Sequence, residues 1–191
     1  MTSEMINGRI VEYNDDTHQY FVDGKEVPSV TQLIGKLFPS EYQDVDPAVL
    51  ARAAARGTEL HAAIEDYEQH GLMSDLPEFY NYLSIKSTHG FDVVDNEKLI
   101  YVEDQGEIIC AGRLDMVIRE RHQLGLADIK RTYTLNTDKL KLQLNLYRIG
   151  YQQCYGETIH LLRGIHLRNQ IANFVPIPLD HDILSKIRSI L

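Results

Sequence analysis

Short runs of β-branched and aromatic residues open the chain, and a helical pattern follows them. RIVEY (9–13) and QYFVDG (19–24) are typical of two short strands that pair as a hairpin. Ser29 then offers its hydroxyl as an N-cap for a short helix over SVTQLIGKLF (29–38). The start of the sequence therefore predicts a β-hairpin followed by a helix.

Two longer helices are predicted next from their start and stop signals. Asp46 is a capping carboxylate, Pro47 suits the first helical position, and good helix formers continue from there to Gly71. The segment LPEFYNYLSIKSTH (76–89) is a second helical stretch, which Gly90 ends in the same way. Both glycines are expected to close their helices because glycine adopts the left-handed conformation without strain.

The middle of the chain changes to strand patterns and then returns to a helix. Three apolar, β-branched runs separated by turn-like residues predict an antiparallel meander over 91–104, 106–120 and 123–131. The next stretch, 137–155, has leucines that alternate as in a strand. It is long for a strand, rich in helix formers and followed by Gly156, so we predict a helix.

The last part of the chain predicts a closing hairpin and a final helix. ETIHLLRGIHL (157–167) and IANFVPI (171–177) are the two strands, and Asp180 is the expected cap of a helix over 181–190. No repeat or linker divides the sequence. We therefore predict one domain over 1–191, with an α+β (α/β) fold in which helices flank a mixed central β-sheet.

Composition and charge limit the classes of function. The 191 residues carry 19 Lys and Arg against 28 Asp and Glu, a formal net charge of −9. This balance argues against a protein coated with phosphate-binding charge, but it permits an acidic metal site. Cys110 and Cys154 are expected to be buried free thiols, and two cysteines cannot hold an iron–sulfur cluster. The sequence has no signal-peptide or membrane-span pattern, so we expect a cytoplasmic protein.

The first candidate for chemistry is GTELH (57–61), inside the long helix. Gly57 costs the helix about 1 kcal/mol relative to alanine, so we expect the close approach of another backbone or of a ligand to offset it. His61 and Glu65 lie one turn apart and share a helix face. The alternative is a solvated His–Glu pair.

Two carboxylates on neighbouring predicted strands are the second candidate. Asp115 interrupts an apolar strand and needs a partner or a cation, and Arg113 is expected to lie on the opposite face. Asp128 and Lys130 share a face of the next strand, which can bring Asp128 alongside Asp115. Two such carboxylates favour Mg²⁺ or Mn²⁺ between them, with the lysine beside a phosphate. The alternatives are a solvated aspartate and a surface salt bridge.

A third candidate follows on the helix over 137–155. Gln143 and Tyr147 lie four residues apart, so they share a face, and both side chains can bind a phosphate oxygen. A purely structural role for this pair is the alternative.

Taken in order, GTELH, GRLD, ADIK and QLNLY resemble the motif series of the RecB-like branch of the PD-(D/E)xK nuclease superfamily. Phage and prophage exonucleases of the RecE type belong to this neighbourhood, and YFVDGKEVPSVTQLI resembles their opening segment. The resemblance spans roughly residues 10 to 150. Leu114 stands where the superfamily name has proline. The resemblance implies a restriction-endonuclease-like core and metal-dependent cleavage of DNA phosphodiesters.

The resemblance also assigns roles to individual residues. Asp115, Asp128 and Lys130 would be catalytic. One or two Mg²⁺ or Mn²⁺ ions would be held by His61, Asp115, Asp128, the Ile129 carbonyl and the additional Glu97. Gln143 and Tyr147 would help to hold DNA, with Arg131 and Arg56 as further contacts. Other basic residues near the motifs are Arg52, Lys139, Lys141 and Arg148.

The implied partners are DNA, a single-strand annealing or other recombination protein, and further copies of the chain, with no membrane partner. The implied setting is the cytoplasm of a bacterial host of the phage or prophage. Two other functions are weighed against this one. The first is a catalytically inactive nuclease fold that binds DNA or a protein, and the second is a metal-dependent hydrolase of a small substrate.

Overall fold

Two β-sheets form the framework of the protein, and the computed structural model describes residues 1–38 and 44–188. The first sheet is antiparallel and contains, in spatial order, β1 (Thr2–Ile6), β2 (Arg9–Asn14), β3 (Gln19–Val22) and β4 (Lys25–Val27). The predicted hairpin is β2–β3. The sequence pattern missed β1, in which only Ile6 is buried, and β4, in which no residue is buried. Strands without a buried face lack the apolar alternation that identifies a strand.

Three helices follow the first sheet, as predicted. They are α1 (Val30–Gly35), α2 (Pro47–His70) and α3 (Pro77–His89). Ser29 caps α1 in a capping box with Gln32, and Asp46 accepts a hydrogen bond of 2.7 Å from the backbone nitrogen of Ala48. Gly71 ends α2 in the left-handed conformation, as expected. The short helix α1 ends sooner than predicted, since residues 36–38 are not helical.

The second sheet is mixed and five-stranded, in the order β5 (Phe91–Asp104), β6 (Glu107–Glu120), β7 (Gln123–Lys130), β8 (Leu161–Arg168) and β9 (Ile171–Ile177). All neighbours pair antiparallel except β7 and β8, which are parallel. A parallel pair needs a crossover connection, and α4 (Thr137–Tyr155) supplies it. The predicted meander, helix and closing hairpin are confirmed.

The final helix, α5 (Ile183–Arg188), begins later than predicted. The Asp180 carboxylate accepts a hydrogen bond from the backbone nitrogen of Asp182 at 3.1 Å, just before the helix. The predicted end of this helix, 189–190, lies outside the described residues.

Apolar side chains cover both faces of the five-stranded sheet. On one face, Leu114 and Leu126 pack with Leu144 of α4, α1 and the first sheet. On the other face, Met116 and Ile129 pack with α2 and α3. This arrangement confirms the α+β class, with a mixed sheet flanked by helices, and it leaves the two layers of helices on opposite sides of β6 and β7.

Two further expectations concern the core and the helices. Cys110 and Cys154 are buried free thiols, as predicted, and burial raises the pKa of Cys110 to about 12. Among the described residues, no helix is long and apolar enough to cross a membrane.

Candidate metal centre

The candidate site lies where the pairing of β6 and β7 ends. The last paired residues at this end are Met116 and Ala127. The next residues outward, Asp115 and Asp128, therefore stand on neighbouring strands beyond the ladder, as the sequence predicts. The Ile129 backbone nitrogen donates a hydrogen bond of 2.7 Å to Oδ2 of Asp115. Beyond the end of the β6–β7 pairing, the Asp115 carboxylate and polar backbone groups are thus available for a site.

His61 reaches this position from α2, on one face of the sheet. Its Nδ1 lies 3.7 Å from Oδ2 of Asp115, and its Nε2 lies 3.2 Å from the Ile129 carbonyl oxygen. Glu97 comes from β5 and has a φ of 51°, a left-handed conformation that is costly for a residue with a side chain. The other non-glycine residues with positive φ lie in turns, whereas Glu97 lies within a strand. Three elements, α2, β5 and β6, therefore converge on one point.

The three-donor cluster consists of His61, Glu97 and Asp115. One ligand atom from each lies within 4.8 Å of the others. This spacing suits one cation with metal–ligand bonds of about 2.0–2.6 Å after small side-chain adjustments. An imidazole and two carboxylates are donors that Mn²⁺ and Mg²⁺ accept. These residues fit the metal that the sequence predicts, and the Ile129 carbonyl lies beside them.

The charge balance around Glu97 also suits a cation. Burial, followed by the nearby negative charge of Asp115, raises the pKa of Glu97 to about 7. Arg113 compensates only in part, although its Nε lies 2.6 Å from a Glu97 carboxylate oxygen. A bound cation would relieve the repulsion between the two carboxylates.

Arg113 corrects one expectation from the sequence. It was expected on the opposite face from Asp115, but residues two apart in a strand share a face, so that expectation is wrong. Arg113 pairs with Glu97 and, at 3.4 Å, with Asp15, and it lies over the Tyr13 ring at 4.7 Å. The spacing of two residues could have placed it in the site.

Asp128 stands next to the three-donor cluster but is held by other groups. It is 1% exposed, with Oδ2 at 2.6 Å from Nζ of Lys130 and Oδ1 accepting a hydrogen bond of 2.9 Å from Nε2 of Gln143. Burial raises the pKa of Asp128, although the Lys130 ammonium acts against this rise. Burial lowers the pKa of Lys130, but the charges of Asp128 and Asp115 and the hydrogen bond to Asp128 together outweigh burial, so the net shift is upward. The ammonium group of Lys130 is therefore fixed by Asp128 beside the three-donor cluster.

The packing of Gly112 connects the GRLD segment to α4. A Cβ at this position would lie 2.7 Å from Cε1 of Tyr147 and 3.2 Å from Cγ2 of Val30. Glycine is required here because the Tyr147 ring occupies that space. Nε2 of Gln143 donates to the Tyr147 hydroxyl at 3.4 Å as well as to Asp128, so Gln143 connects Tyr147 to Asp128. Their predicted contact with DNA stays a prediction.

These side chains line the site groove, an open groove of about 490 Å³ whose walls include His61, Glu97, Asp115, Asp128, Lys130 and Gln143. The first sheet adds a wall that the sequence did not predict, made of Tyr13, His18 and Tyr20. The Tyr13 hydroxyl is 2.9 Å from Nδ1 of His18. No local pattern could reveal this wall, because it depends on where the first sheet docks.

Arg56 and Arg131, predicted to contact DNA, bind Glu78 instead of lining the site groove. Nη2 of Arg131 lies 2.8 Å and Nη2 of Arg56 lies 3.4 Å from the Glu78 carboxylate, which is 3% exposed. Arg148 is buried and donates to the Asp180 carbonyl. Gly57 lines the site groove, and a Cβ there would have no neighbour within 4 Å. The expected close approach of another backbone is therefore not found among the described residues, and the approach of a ligand stays a prediction.

Metal binding should be visible as an increase in thermal stability. At about 100 times the dissociation constant, Mn²⁺ should stabilise the protein by roughly 2.7 kcal/mol. This corresponds to an increase in Tm of roughly 5–10 °C. At one fixed Mn²⁺ concentration the increase should be larger at pH 8 than at pH 6, because Mn²⁺ competes with the Glu97 proton and the pKa of Glu97 is about 7. Differential scanning fluorimetry with Mn²⁺ and EDTA measures both effects.

Glu97→Gln should greatly reduce the Mn²⁺-dependent increase, whereas Glu107→Gln should not. Glu107 is an exposed glutamate at the start of β6, outside the three-donor cluster, so it is the matched control. An equal increase in Tm for Glu97→Gln and the wild type would show that the metal binds elsewhere.

Of the comparisons with known proteins, the one with solved structures supports the fold. No family model matches the chain, and no curated protein matches it. Among solved structures, the crystal structure of SSO0001 is similar, with a TM-score of 0.50 and 18% sequence identity over 85% of this chain and 72% of that chain. At this level of identity, the likeness shows a shared fold alone.

Proposed function

We propose that the protein is a Mg²⁺- or Mn²⁺-dependent deoxyribonuclease that hydrolyses phosphodiester bonds. It would act as an exonuclease of the phage or prophage type in DNA recombination or repair, in the cytoplasm. The observation that carries the proposal is the position of the three-donor cluster beside the ion pair of buried Asp128 and part-exposed Lys130 in one groove. A metal site next to a held ammonium group suits a reaction at a phosphate.

Each residue of the site has a separate role in the proposed reaction. A divalent cation, when bound at the three-donor cluster, supplies positive charge that polarises a phosphate and lowers the pKa of water. Lys130 presents its ammonium group to a phosphate oxygen and stabilises the negative charge that develops during attack. Asp128 orients Lys130 through the contact of 2.6 Å. Gln143 fixes Asp128 through the other carboxylate oxygen.

The shape of the site groove favours a nucleic acid strand over a small molecule, whereas the charge of the protein limits where DNA can bind. The site groove is open, whereas a small substrate is usually enclosed in a pocket. The net charge of −9 disfavours broad contact with DNA. DNA affinity should therefore be weak without divalent metal and sensitive to salt.

A time course on end-labelled linear DNA and closed circular DNA tests the proposal. With Mn²⁺ or Mg²⁺ the linear DNA should be degraded and the circular DNA left intact, and EDTA should stop the reaction. Cleavage of the circle would contradict the exonuclease assignment. Metal binding without cleavage of either DNA would favour the inactive nuclease fold.

A further inference from the structure

Arg113 connects the first sheet to the three-donor cluster. It lies on β6 two residues before Asp115, so the two side chains share a face of the strand. Its Nε lies 2.6 Å from Oε2 of Glu97, which comes from the neighbouring strand β5. Its Nη1 lies 3.4 Å from Oδ1 of Asp15, and its Cζ lies 4.7 Å from the centre of the Tyr13 ring. One side chain therefore joins a candidate metal ligand to the other sheet.

The Tyr13 ring is a fixed support for the guanidinium group. Tyr13 is in β2 and is 5% exposed. Its ring centre lies 4.6 Å from that of Tyr20, and its hydroxyl lies 2.9 Å from Nδ1 of His18. A guanidinium group above an aromatic ring is attracted by the negative charge of the ring face. The first sheet thus fixes the direction in which the Arg113 side chain points.

Glu97, in contrast, depends on contacts outside its own backbone. Its φ of 51° lies within a strand, and such a conformation persists only where the surrounding structure holds it. The contact with Arg113 fixes one oxygen of the Glu97 carboxylate. A carboxylate accepts at both of its oxygens, so a cation can share the second one. The arginine can therefore set the orientation in which Glu97 meets a metal ion.

The charge of Arg113 and its orienting contact act on metal binding with opposite signs. A positive guanidinium group repels a metal ion, but this one lies between the carboxylates of Glu97 and Asp15, which offset its charge. Groups that hydrogen-bond to metal ligands typically improve metal affinity by about 10–100-fold. We therefore expect the orienting contact to outweigh the repulsion.

We infer that Arg113, held by the first sheet, is a positioning residue that orients Glu97 for the metal ion. This inference rests on the metal site of the proposed function. It adds a role for the first sheet, although none of the three donors in the cluster comes from that sheet. Docking of the first sheet is then a condition for tight metal binding.

Isothermal titration calorimetry with Mn²⁺, in the absence of DNA, tests the inference. Arg113→Ala should bind Mn²⁺ about 10–100-fold more weakly than the wild type. Arg119→Ala is the matched control, since Arg119 is an exposed arginine on the same strand, and it should bind like the wild type. Arg113→Lys should recover part of the affinity, because an ammonium group can still donate to Glu97. The metal-free Tm of each variant shows whether it is folded.

A second pair of variants tests the part played by the first sheet. Tyr13→Leu removes the ring below the guanidinium group and should weaken Mn²⁺ binding by at least about threefold. Tyr13→Phe is the matched control, because it keeps the ring and loses only the hydroxyl that contacts His18. It should bind Mn²⁺ like the wild type.

Mn²⁺ binding by Arg113→Ala that equals or exceeds that of the wild type overturns the inference, since removal of a repelling charge alone gives tighter binding. Equal binding by Tyr13→Leu and Tyr13→Phe overturns the role of the first sheet. Weaker binding by Arg113→Ala, without DNA cleavage by the wild type, supports the inference while the nuclease proposal fails. DNA cleavage by the wild type, with unchanged Mn²⁺ affinity in Arg113→Ala, supports the nuclease proposal while the inference fails.

Discussion

Asp115→Asn should reduce DNA cleavage by at least about a thousandfold, a loss of about 4 kcal/mol of transition-state stabilisation. The carboxylate of Asp115 is the centre of the three-donor cluster, and asparagine removes its negative charge. The fold should survive, because the asparagine carbonyl can still accept the hydrogen bond from the Ile129 backbone nitrogen. Initial rates on end-labelled DNA with saturating Mn²⁺ measure the change.

Lys130→Ala should lose cleavage to a similar extent but for a different reason. The three-donor cluster is unchanged, so the Mn²⁺-dependent increase in Tm should persist. Asp92→Asn is the matched control, since Asp92 is an exposed carboxylate on β5 outside the cluster. Equal DNA degradation by the purified Lys130→Ala protein and the wild type would overturn the nuclease assignment.

Arg131→Ala should destabilise the fold by about 3 kcal/mol at pH 7, because it removes the nearer of the two arginines from the buried Glu78 carboxylate and leaves the Arg56 contact and backbone hydrogen bonds. Burial raises the pKa of Glu78, but the hydrogen bond and charge of Arg131, together with backbone hydrogen bonds, outweigh burial, so the net shift is downward. The pairing therefore stabilises the fold above the ordinary glutamate pKa of about 4.3. This stability is lost as pH falls through the folded pKa.

Urea unfolding at pH 7 and at about pH 3 measures this effect. The difference in the free energy of unfolding between the variant and the wild type should be smaller at the lower pH. Arg119→Ala, at an exposed arginine of β6, is the control and should change stability little. A large loss of DNA affinity with unchanged stability would instead favour the predicted DNA contact for Arg131.

Much of the fold could be predicted because its elements carry local signals. Capping residues and terminal glycines identified α1, α2 and α3, and β-branched runs identified β5, β6 and β7. The strands β1 and β4 could not be found, since their residues are mostly exposed and their pairing is decided by β2 and β3. Local pattern also gave no sign that β8 pairs with β7 in parallel.

The candidate site could also be predicted only in part. Spacing along one strand placed Asp128 beside Lys130, and the spacing of Asp115 to Asp128 suited neighbouring strands. The wall formed by Tyr13 and His18 could not be predicted, because it depends on the docking of one sheet against another. The pairing of Arg131 with Glu78 was also out of reach, since the two residues meet only through tertiary packing.

The parallel pairing of β7 with β8 also sets the order of events during synthesis. The chain leaves the ribosome from its N-terminus, so β7 emerges well before α4 and β8. Until β8 arrives, β7 is an unprotected edge strand whose backbone can pair with another chain. Gln143, which fixes Asp128, also arrives later than β7. A nascent or truncated chain would therefore be prone to aggregation, and its candidate site would be complete only after the final third of the protein has folded.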